Sequence, residues 1–317
     1  MLVVGILLVA VVLALCVILY RMSCRIPEEM RQDTPFRYVE RDVKMNPEVP
    51  QLLKNLQALD FEEVWVTSCD GLRLRGFYHH TADGAPAAIL MHGWRGVPFR
   101  DMCGGATECL AMGMNVLVVC QRGHCGSEGR CLTFGVKERR DCVTWAEYLA
   151  RRLGKDTPVL LCGVSMGAAT VLMSLALPLP ENVKGVFADC PYSAPKDIML
   201  QVAHTMHIPG RLCWPFMWLA QRVFCGFDPN SATAREAVTH ARVPVVIVHG
   251  EADTFVPQEM SEEIRRAAPD RVRRYTFPGA EHADSYNRDT ERYRTLLRDF
   301  CREIFPEASI LSGGNES

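Results

Sequence analysis

The segment Val159-Leu-Leu-Cys-Gly163-Val-Ser165-Met-Gly167 places a serine between two glycines, after a short apolar run and before a helix-length stretch rich in alanine and leucine. Because glycine lacks a Cβ atom, Gly163 and Gly167 allow a strained strand-to-helix turn that lifts the Ser165 hydroxyl clear of a sheet. The N-terminus of the following helix would direct its free N–H groups at developing negative charge. The pattern therefore predicts a nucleophile at Ser165; the alternative is a serine that caps the helix.

Short apolar runs recur along the chain, and helix-length segments separate them. The runs lie at residues 87–91, 116–120, 159–162, 183–188 and 243–248, and residues 272–277 are taken as the last strand. Runs of this length are typical of strands buried on both faces, and their alternation with helices indicates βαβ units. Nearer the N-terminus, Asp70-Gly71 separates apolar runs at residues 64–67 and 72–78, which predicts an antiparallel hairpin. The sequence thus predicts an α/β fold with a mostly parallel central sheet, flanking helices and an N-terminal antiparallel hairpin.

Residues 191–242 interrupt this alternation and separate two predicted strands by about fifty positions. The segment is rich in bulky apolar side chains, among them Trp214, Phe216, Met217 and Trp218. Connections of this length inside a compact domain are usually functional. We expect an inserted helical cap over the site; the alternative is a helical excursion with a small core of its own.

Residues 1–20 carry no charged side chain and consist almost wholly of leucine, valine, isoleucine and alanine. A helix of this length spans about 30 Å, the thickness of the bilayer core. No basic residue precedes the run and no small-residue cleavage motif closes it, so an uncleaved transmembrane anchor is favoured over a cleaved signal peptide. Because Arg21, Arg25 and Arg31 follow the run, the positive-inside rule predicts a single-pass membrane protein with a cytoplasmic catalytic domain.

These features divide the chain into four parts. We expect a transmembrane anchor at residues 1–20 and a juxtamembrane linker, rich in charge and proline, at residues 21–55. The catalytic domain follows at residues 56–306 and contains the cap at 191–242. Residues 307–317 are expected to form a flexible tail.

Charge and cysteine content narrow the range of partners. The 35 basic and 37 acidic side chains give a net charge of −2, so no excess of positive charge is available for a nucleic-acid backbone. The 14 cysteines show no spacing typical of a metal site. We expect them to be mostly reduced, structural thiols, in agreement with a reducing compartment. We therefore expect no nucleic-acid partner and no metal or organic cofactor.

A nucleophilic serine needs a base, and the base needs an orienting carboxylate. His282 lies just beyond the last predicted strand, at the edge where ligands bind in open parallel sheets, and is the predicted base. Asp253 follows the strand at 243–248. It is the predicted acid, because a serine at a strand-to-helix turn of this kind is followed along the chain first by the acid and then by the histidine. Glu251 and Asp189 remain alternatives to Asp253.

Three further histidines are expected to stay outside the chemistry. His249 ends a predicted strand, where a packing role is favoured. His204 and His207 lie in the predicted cap without an evident orienting partner in the sequence.

Acyl transfer also requires hydrogen-bond donors for the oxyanion. His92-Gly-Trp94-Arg-Gly96 follows the predicted strand at 87–91 and would supply the backbone N–H of Trp94. The backbone N–H of Met166, directly after the nucleophile, would supply the second donor. His92 itself is expected to be a structural loop histidine.

Four motifs together resemble those of the α/β-hydrolase superfamily: Gly-Val-Ser165-Met-Gly, His92-Gly-Trp-Arg-Gly, His249-Gly-Glu-Ala-Asp253 and Glu281-His282. Residues 121–129 are similar to a further loop of that family. The resemblance covers about residues 60–305 and looks closest to serine esterases and lysophospholipase-like or peptidase-like hydrolases with an inserted cap, some of them membrane-anchored. It implies the α/β-hydrolase fold, with Ser165 as nucleophile, His282 as base, Asp253 as acid, and Trp94 and Met166 as oxyanion donors.

These expectations describe a membrane-anchored serine hydrolase that cleaves an acyl ester through an acyl-enzyme intermediate, in the manner of a carboxylesterase or lipase. Since the predicted cap is rich in tryptophan and methionine, the expected substrate is a small-molecule or lipid acyl ester. The same triad could serve peptide hydrolysis or acyl transfer, because fold and triad do not separate these reactions. A non-catalytic binding scaffold on the same fold is the remaining alternative.

Overall fold

Eight strands form the central sheet of the computed structural model, which describes residues 2–38 and 48–306. In chain order they are β1 (Glu62–Thr67), β2 (Arg73–His79), β3 (Ala87–Met91), β4 (Asn115–Val119), β5 (Val159–Val164), β6 (Val183–Asp189), β7 (Val245–Gly250) and β8 (Val272–Phe277). Across the sheet the order is β1-β2-β4-β3-β5-β6-β7-β8. The pairings of β2 with β1 and with β4 are antiparallel, and every other pairing in the described sheet is parallel. The predicted mostly parallel sheet is confirmed.

Helices cover both faces of this sheet. In chain order they are α1 (Leu2–Ser23), α2 (Glu28–Arg31), α3 (Val49–Gln57), α4 (Pro98–Ala111), α5 (Glu138–Leu153), α6 (Met166–Ser174), α7 (Pro195–Thr205), α8 (Gly210–Ala220), α9 (Ala234–Ala237), α10 (Gln258–Ala267), α11 (Ser285–Arg288) and α12 (Thr290–Ile304). A π-helical turn at Gln221–Cys225 extends α8, and a 3-10 turn at Val238–His240 follows α9.

The alternation of side chains along each strand divides the core into two layers. In β3, Ile89 faces the layer that α5 and α6 cover, whereas Leu90 faces the layer that α3, α4 and α12 cover. Trp145 of α5 is the largest fully buried side chain of the first layer, and Phe99 of α4 belongs to the second. Because both faces of the central strands are covered, their apolar runs are continuous, as the sequence indicated.

The N-terminal hairpin is confirmed, and its turn shows why the sequence has glycine there. β1 and β2 pair in register from Glu62 opposite Tyr78 to Thr67 opposite Arg73. Gly71 adopts a φ of +86°, in the left-handed region that favours glycine. The hydroxyl of Ser68 donates to Asp70 and accepts from the N–H of Leu72, which closes the turn.

The predicted membrane anchor is wrong. None of the helices within residues 2–38 and 48–306 combines the length and apolar character that a membrane crossing requires. The single-pass membrane localisation fails with it, and so does the cytoplasmic placement that was derived from the anchor's flanking charges. The C-terminal end of α1 packs against other parts of the protein: Cys16 and Leu19 are buried, and the Tyr20 ring stacks on Phe224 at 5.1 Å.

The predicted domain boundaries meet the described structure only in part. Residues 39–47 of the predicted linker and the whole predicted tail at 307–317 lie outside the described residues. The segment 191–242 contains α7, α8, the π-helical turn, α9 and the 3-10 turn. All fourteen cysteines lie within the described residues as free thiols, and eleven of them are buried.

Candidate active site

Ser165 occupies a strained turn between β5 and α6. Its backbone has a φ of 54° and a ψ of −114°, a conformation that a residue with a Cβ rarely adopts. A Cβ on Gly163 would lie 2.4 Å from the carbonyl carbon of Gly167, and one on Gly167 would lie 2.0 Å from the carbonyl oxygen of Met91. Both glycines are therefore required by close backbone approach, as the sequence motif predicted.

His282 bridges Ser165 and Asp253. Its Nε2 lies 2.9 Å from the Ser165 Oγ, and its Nδ1 lies 2.7 Å from the Asp253 Oδ2. An ionised carboxylate only accepts hydrogen bonds, so the imidazole proton belongs on Nδ1 and leaves Nε2 free to accept from the serine hydroxyl. The structure thus brings the three predicted catalytic residues into one hydrogen-bonded chain, although Ser165 and Asp253 are more than eighty residues apart in the sequence.

The Asp253 side chain is fully buried yet remains well suited to carry charge. Its Oδ1 accepts from the backbone N–H groups of Phe255, at 3.0 Å, and Val256, at 2.8 Å. Burial acts to raise the pKa of this carboxyl, but hydrogen bonds from His249 and His282 outweigh burial and lower its pKa to about 2. This low pKa keeps Asp253 ionised at neutral pH.

His249 contacts the Asp253 carboxylate, a contact that the sequence did not indicate. Its Nε2 lies 2.9 Å from the Val256 carbonyl oxygen and 3.3 Å from the Asp253 Oδ2, and the ring is fully buried. The position at a strand end favoured simple packing, and no local pattern revealed that residues 250–256 fold back over the ring. His249 is thus a positioning residue for the loop that carries Asp253.

The two alternative acids make other contacts. The Oε1 of Glu251 accepts from the Thr276 hydroxyl at 2.7 Å. Asp189 is buried at the end of β6, where its Oδ1 accepts from the Ser285 hydroxyl at 3.2 Å. Within the described residues, neither carboxylate is hydrogen-bonded to His282. The geometry therefore favours Asp253 over both.

Asp189 should instead make folding stability depend on pH. Burial raises its pKa from 3.8 to about 7, the nearby Asp253 carboxylate adds to this, and His249 and the Ser285 hydroxyl only partly oppose it. Because the folded-state pKa is raised, the group's stabilising contribution is complete below about pH 4 and is lost as the pH rises through 7. Relative to wild type, we therefore expect the unfolding free energy of Asp189→Asn to be about 2 to 3 kcal/mol higher at pH 8 than at pH 5.

Urea unfolding of both proteins at the two pH values measures this difference directly. The exposed Asp156 provides the control, since Asp156→Asn should follow wild type at both pH values. A difference between Asp189→Asn and wild type that does not change with pH would contradict the assignment.

The predicted oxyanion donors lie beside Ser165 on two different elements. Met166 is the first residue of α6, and Trp94 lies in the loop after β3. A Cβ on Gly93 would come 3.6 Å from the Ser165 Cβ, so this loop runs directly past the nucleophile. Among the described residues, the backbone N–H groups of Trp94 and Met166 have no backbone hydrogen-bond partner.

Asp101, which the sequence did not single out, holds this loop in place. Its Oδ2 accepts from the Gly93 N–H at 3.1 Å, and its Oδ1 accepts from the Val97 N–H at 3.4 Å. A Cβ on Gly96 would lie 1.9 Å from the same carboxylate, which requires glycine there. Burial acts to raise the Asp101 pKa, but the Arg100 guanidinium and other contacts outweigh burial and lower it.

His92 has the structural role that was expected. Its Nδ1 donates to the Gly93 carbonyl at 2.9 Å, and its Nε2 accepts from the Gln121 N–H at 3.1 Å. The Gln121 side-chain amide also donates to the His92 carbonyl. His92 therefore ties the loop after β3 to the end of β4.

The two histidines of the predicted cap lie outside the hydrogen-bonded chain of Ser165. His204 and His207 are exposed at the end of α7.

One group among the described residues could in principle hold a metal ion: Cys190, Asp253 and His282. Asp253 and His282 already lie 2.7 Å apart in a hydrogen bond. Two ligands of a tetrahedral ion lie about 3.3 Å apart or more. Burial also raises the pKa of the Cys190 thiol, which opposes formation of the thiolate ligand. The group therefore fits a hydrogen-bonded site better than a metal centre.

Two cavities meet at Ser165 and differ in character. One, of about 310 Å³, is lined mainly by apolar side chains of α7, α8 and the end of α1. The other, of about 300 Å³, includes Asp101, Asp189, His282 and Asn287 in its lining. Trp94 and Phe255 border both cavities. A substrate whose reacting carbonyl lies at Ser165 can thus extend in an apolar direction and in a more polar one.

The sheet order, the serine at the turn after β5 and the histidine after β8 together define an α/β hydrolase. The chain belongs to the Alpha/beta hydrolase family, whose model matches residues 88–295. It is similar to the uncharacterized protein YqkD of Bacillus subtilis, with 22% identity over 92% of this chain and 94% of YqkD. It is also similar to the uncharacterized protein Rv2307c of Mycobacterium tuberculosis, with 29% identity over 78% of this chain and 80% of Rv2307c.

Solved structures share the fold at low sequence identity. The esterase Pf2001 of Pyrococcus furiosus superposes with a TM-score of 0.66 and 19% identity, covering 79% of this chain and 93% of the esterase. At this identity the likeness concerns the fold alone, so the chemistry of this chain has to be argued from its own residues.

Proposed function

We propose that the protein is a serine hydrolase that cleaves acyl esters through a covalent acyl-enzyme intermediate. The observation that carries the proposal is the imidazole of His282, with Nε2 2.9 Å from the Ser165 hydroxyl and Nδ1 2.7 Å from the Asp253 carboxylate. The esterase name of a solved neighbour in fold is the reason for placing ester cleavage first.

In the proposed reaction, His282 takes the Ser165 proton through Nε2 as the serine oxygen attacks the substrate carbonyl. The Asp253 carboxylate stabilises the imidazolium that forms. The backbone N–H groups of Trp94 and Met166 donate to the oxyanion, which lowers the barrier because these dipoles are already in place. His282 then gives its proton to the leaving alcohol, and a water that His282 activates releases the acid.

The two cavities at Ser165 support an ester whose two parts differ in polarity. We assign the apolar cavity to the acyl group, and the cavity lined by Asp101 and Asn287 to the alcohol. We also assign the 191–242 segment the role of a cap, since Ile198, Met199 and Met217 of that segment line the apolar cavity.

Labelling of the full chain with a fluorophosphonate probe tests whether Ser165 is activated. We expect one labelled site, mapped to Ser165 by peptide mass spectrometry, and no labelling after heat denaturation. Absence of labelling in the folded protein would favour a binding scaffold instead.

A matched pair of substrates separates ester from peptide-type cleavage. We expect p-nitrophenyl butyrate to be cleaved and the corresponding p-nitroanilide to be cleaved far more slowly. Preferential anilide cleavage would favour a peptidase. Transfer of the acyl group to an added alcohol faster than to water would favour an acyltransferase.

A further inference from the structure

The C-terminal end of α1 borders the apolar cavity at Ser165, although α1 lies outside the family segment at residues 88–295. Leu19, Met22 and Ser23 form this part of the wall. The 191–242 segment contributes Met199 and Val202 to the lining of the same cavity. The cavity is therefore completed by residues that lie outside the segment matched by the family model.

The loop after β3 clamps this end of α1. The Arg95 guanidinium donates through Nη2 to the carbonyl oxygens of Arg21, at 3.0 Å, Met22, at 2.9 Å, and Arg25, at 3.0 Å. The last carbonyls of a helix lack partners within the helix, so the guanidinium satisfies two such groups, those of Arg21 and Met22, together with the Arg25 carbonyl just after α1. The Trp94 indole donates to the Ser23 carbonyl at 3.1 Å, and Arg95 stacks on the Trp94 ring at 4.4 Å.

Backbone hydrogen bonds also fix the position of the chain directly after α1. The Leu132 N–H donates to the Cys24 carbonyl at 2.8 Å, and the Ile26 N–H donates to the Arg130 carbonyl at 3.2 Å. Cys24 and Ile26 are almost fully buried. The position of the wall relative to Ser165 is thus set by hydrogen bonds to residues 21–23 and to the chain directly after them.

We propose that residues 19–23 of α1 are a specificity-determining wall of the acyl site, and that the group held there is an aliphatic acyl chain. The inference rests on the proposed ester hydrolysis and adds the element that selects chain length. The wall contributes Leu19 and Met22 side chains to a cavity whose other lining is mainly apolar, so successive methylene groups lose contact with water as they enter. At about 0.8 kcal/mol for each buried methylene, kcat/KM should rise about fourfold for each added carbon until the cavity is full.

Met22 is the side chain with which to test the wall. It is 38% exposed, so a larger side chain can be accommodated without rebuilding the core. Ile18 is the matched control, because it lies one turn earlier on α1, is 53% exposed and is not part of the cavity lining. The experiment compares full-length wild type, Met22→Trp, Met22→Ala and Ile18→Trp with p-nitrophenyl esters from acetate to dodecanoate.

We expect Met22→Trp to shift the optimum to shorter chains, with kcat/KM for the longest esters about tenfold lower relative to acetate. Met22→Ala should shift the optimum to longer chains, and Ile18→Trp should follow wild type. Identical chain-length profiles in wild type and both Met22 variants, with Ser165 still labelled by fluorophosphonate, would overturn this inference and leave the proposed function standing. A wild-type protein that neither reacts with the probe nor cleaves any ester would overturn the proposed function and this inference together.

Discussion

Ser165→Ala is expected to lower kcat toward a p-nitrophenyl ester by a factor on the order of 10⁴ to 10⁶. The variant removes the Ser165 Oγ, which lies 2.9 Å from His282 Nε2, so no covalent intermediate can form at this residue. The backbone N–H groups of Trp94 and Met166 remain, and they account for residual catalysis over water. Steady-state kinetics with p-nitrophenyl butyrate measures the loss, and fluorophosphonate labelling should vanish with it.

The fold should survive this substitution, which makes the loss interpretable. Alanine needs the same strained backbone as serine at a φ of 54°, and the deleted hydroxyl forms one side-chain hydrogen bond within the described residues. We expect the unfolding free energy to change by about 1 kcal/mol or less. Ser231→Ala, at an exposed serine, serves as the control and should keep wild-type activity. Full esterase activity in the Ser165→Ala variant would remove Ser165 from the mechanism.

The sequence predicted the central part of this molecule because its signals there are local. Gly163 and Gly167 flank a serine after an apolar strand, and the structure shows that a Cβ at either position would collide with backbone. Asp70-Gly71 marked the hairpin for an equally local reason, the positive φ of Gly71. His282 could be placed because the carboxyl ends of parallel strands share one edge of the sheet.

The contacts that the sequence did not reveal join segments distant along the chain. Asp101 could not be distinguished from other helical carboxylates until the loop at residues 93–97 was seen to fold over it. His249 likewise touches Asp253 only because the intervening loop returns over its ring. Side-chain type and spacing in the sequence do not show which residues a loop will contact when it folds back over the structure.

The misreading of residues 1–20 has a related cause. Hydropathy records how apolar a helix is, but it does not record what the helix contacts. At the end of α1, Cys16 and Leu19 are buried and Met22 lines the cavity at Ser165. Nothing in the run itself indicated that Arg95, more than seventy residues later, would cap the helix.

Asp253→Asn is expected to lower kcat by a factor on the order of 10⁴ while leaving the site's shape intact. Two backbone N–H groups, of Phe255 and Val256, point at the Oδ1 position, so the amide oxygen of asparagine must take that place. The amide NH₂ then occupies the Oδ2 position and faces His282 Nδ1. Because the NH₂ group donates, Nδ1 must accept, and the imidazole proton moves to Nε2, where it prevents His282 from taking the Ser165 proton.

Kinetics of Asp253→Asn should be compared with those of Glu251→Gln, which alters the neighbouring candidate acid. Glu251 accepts a hydrogen bond from Thr276, and within the described residues it is not hydrogen-bonded to His282, so its variant should retain wild-type kcat. The ¹⁵N chemical shifts of His282 provide a readout that a purely structural role of Asp253 would not move, since they report which ring nitrogen carries the proton. Retained activity in Asp253→Asn together with loss in Glu251→Gln would transfer the role of orienting acid to Glu251. An unchanged His282 tautomer in Asp253→Asn would show that the carboxylate does not control the base, because the amide can satisfy Phe255 and Val256 only by presenting its NH₂ group to the imidazole.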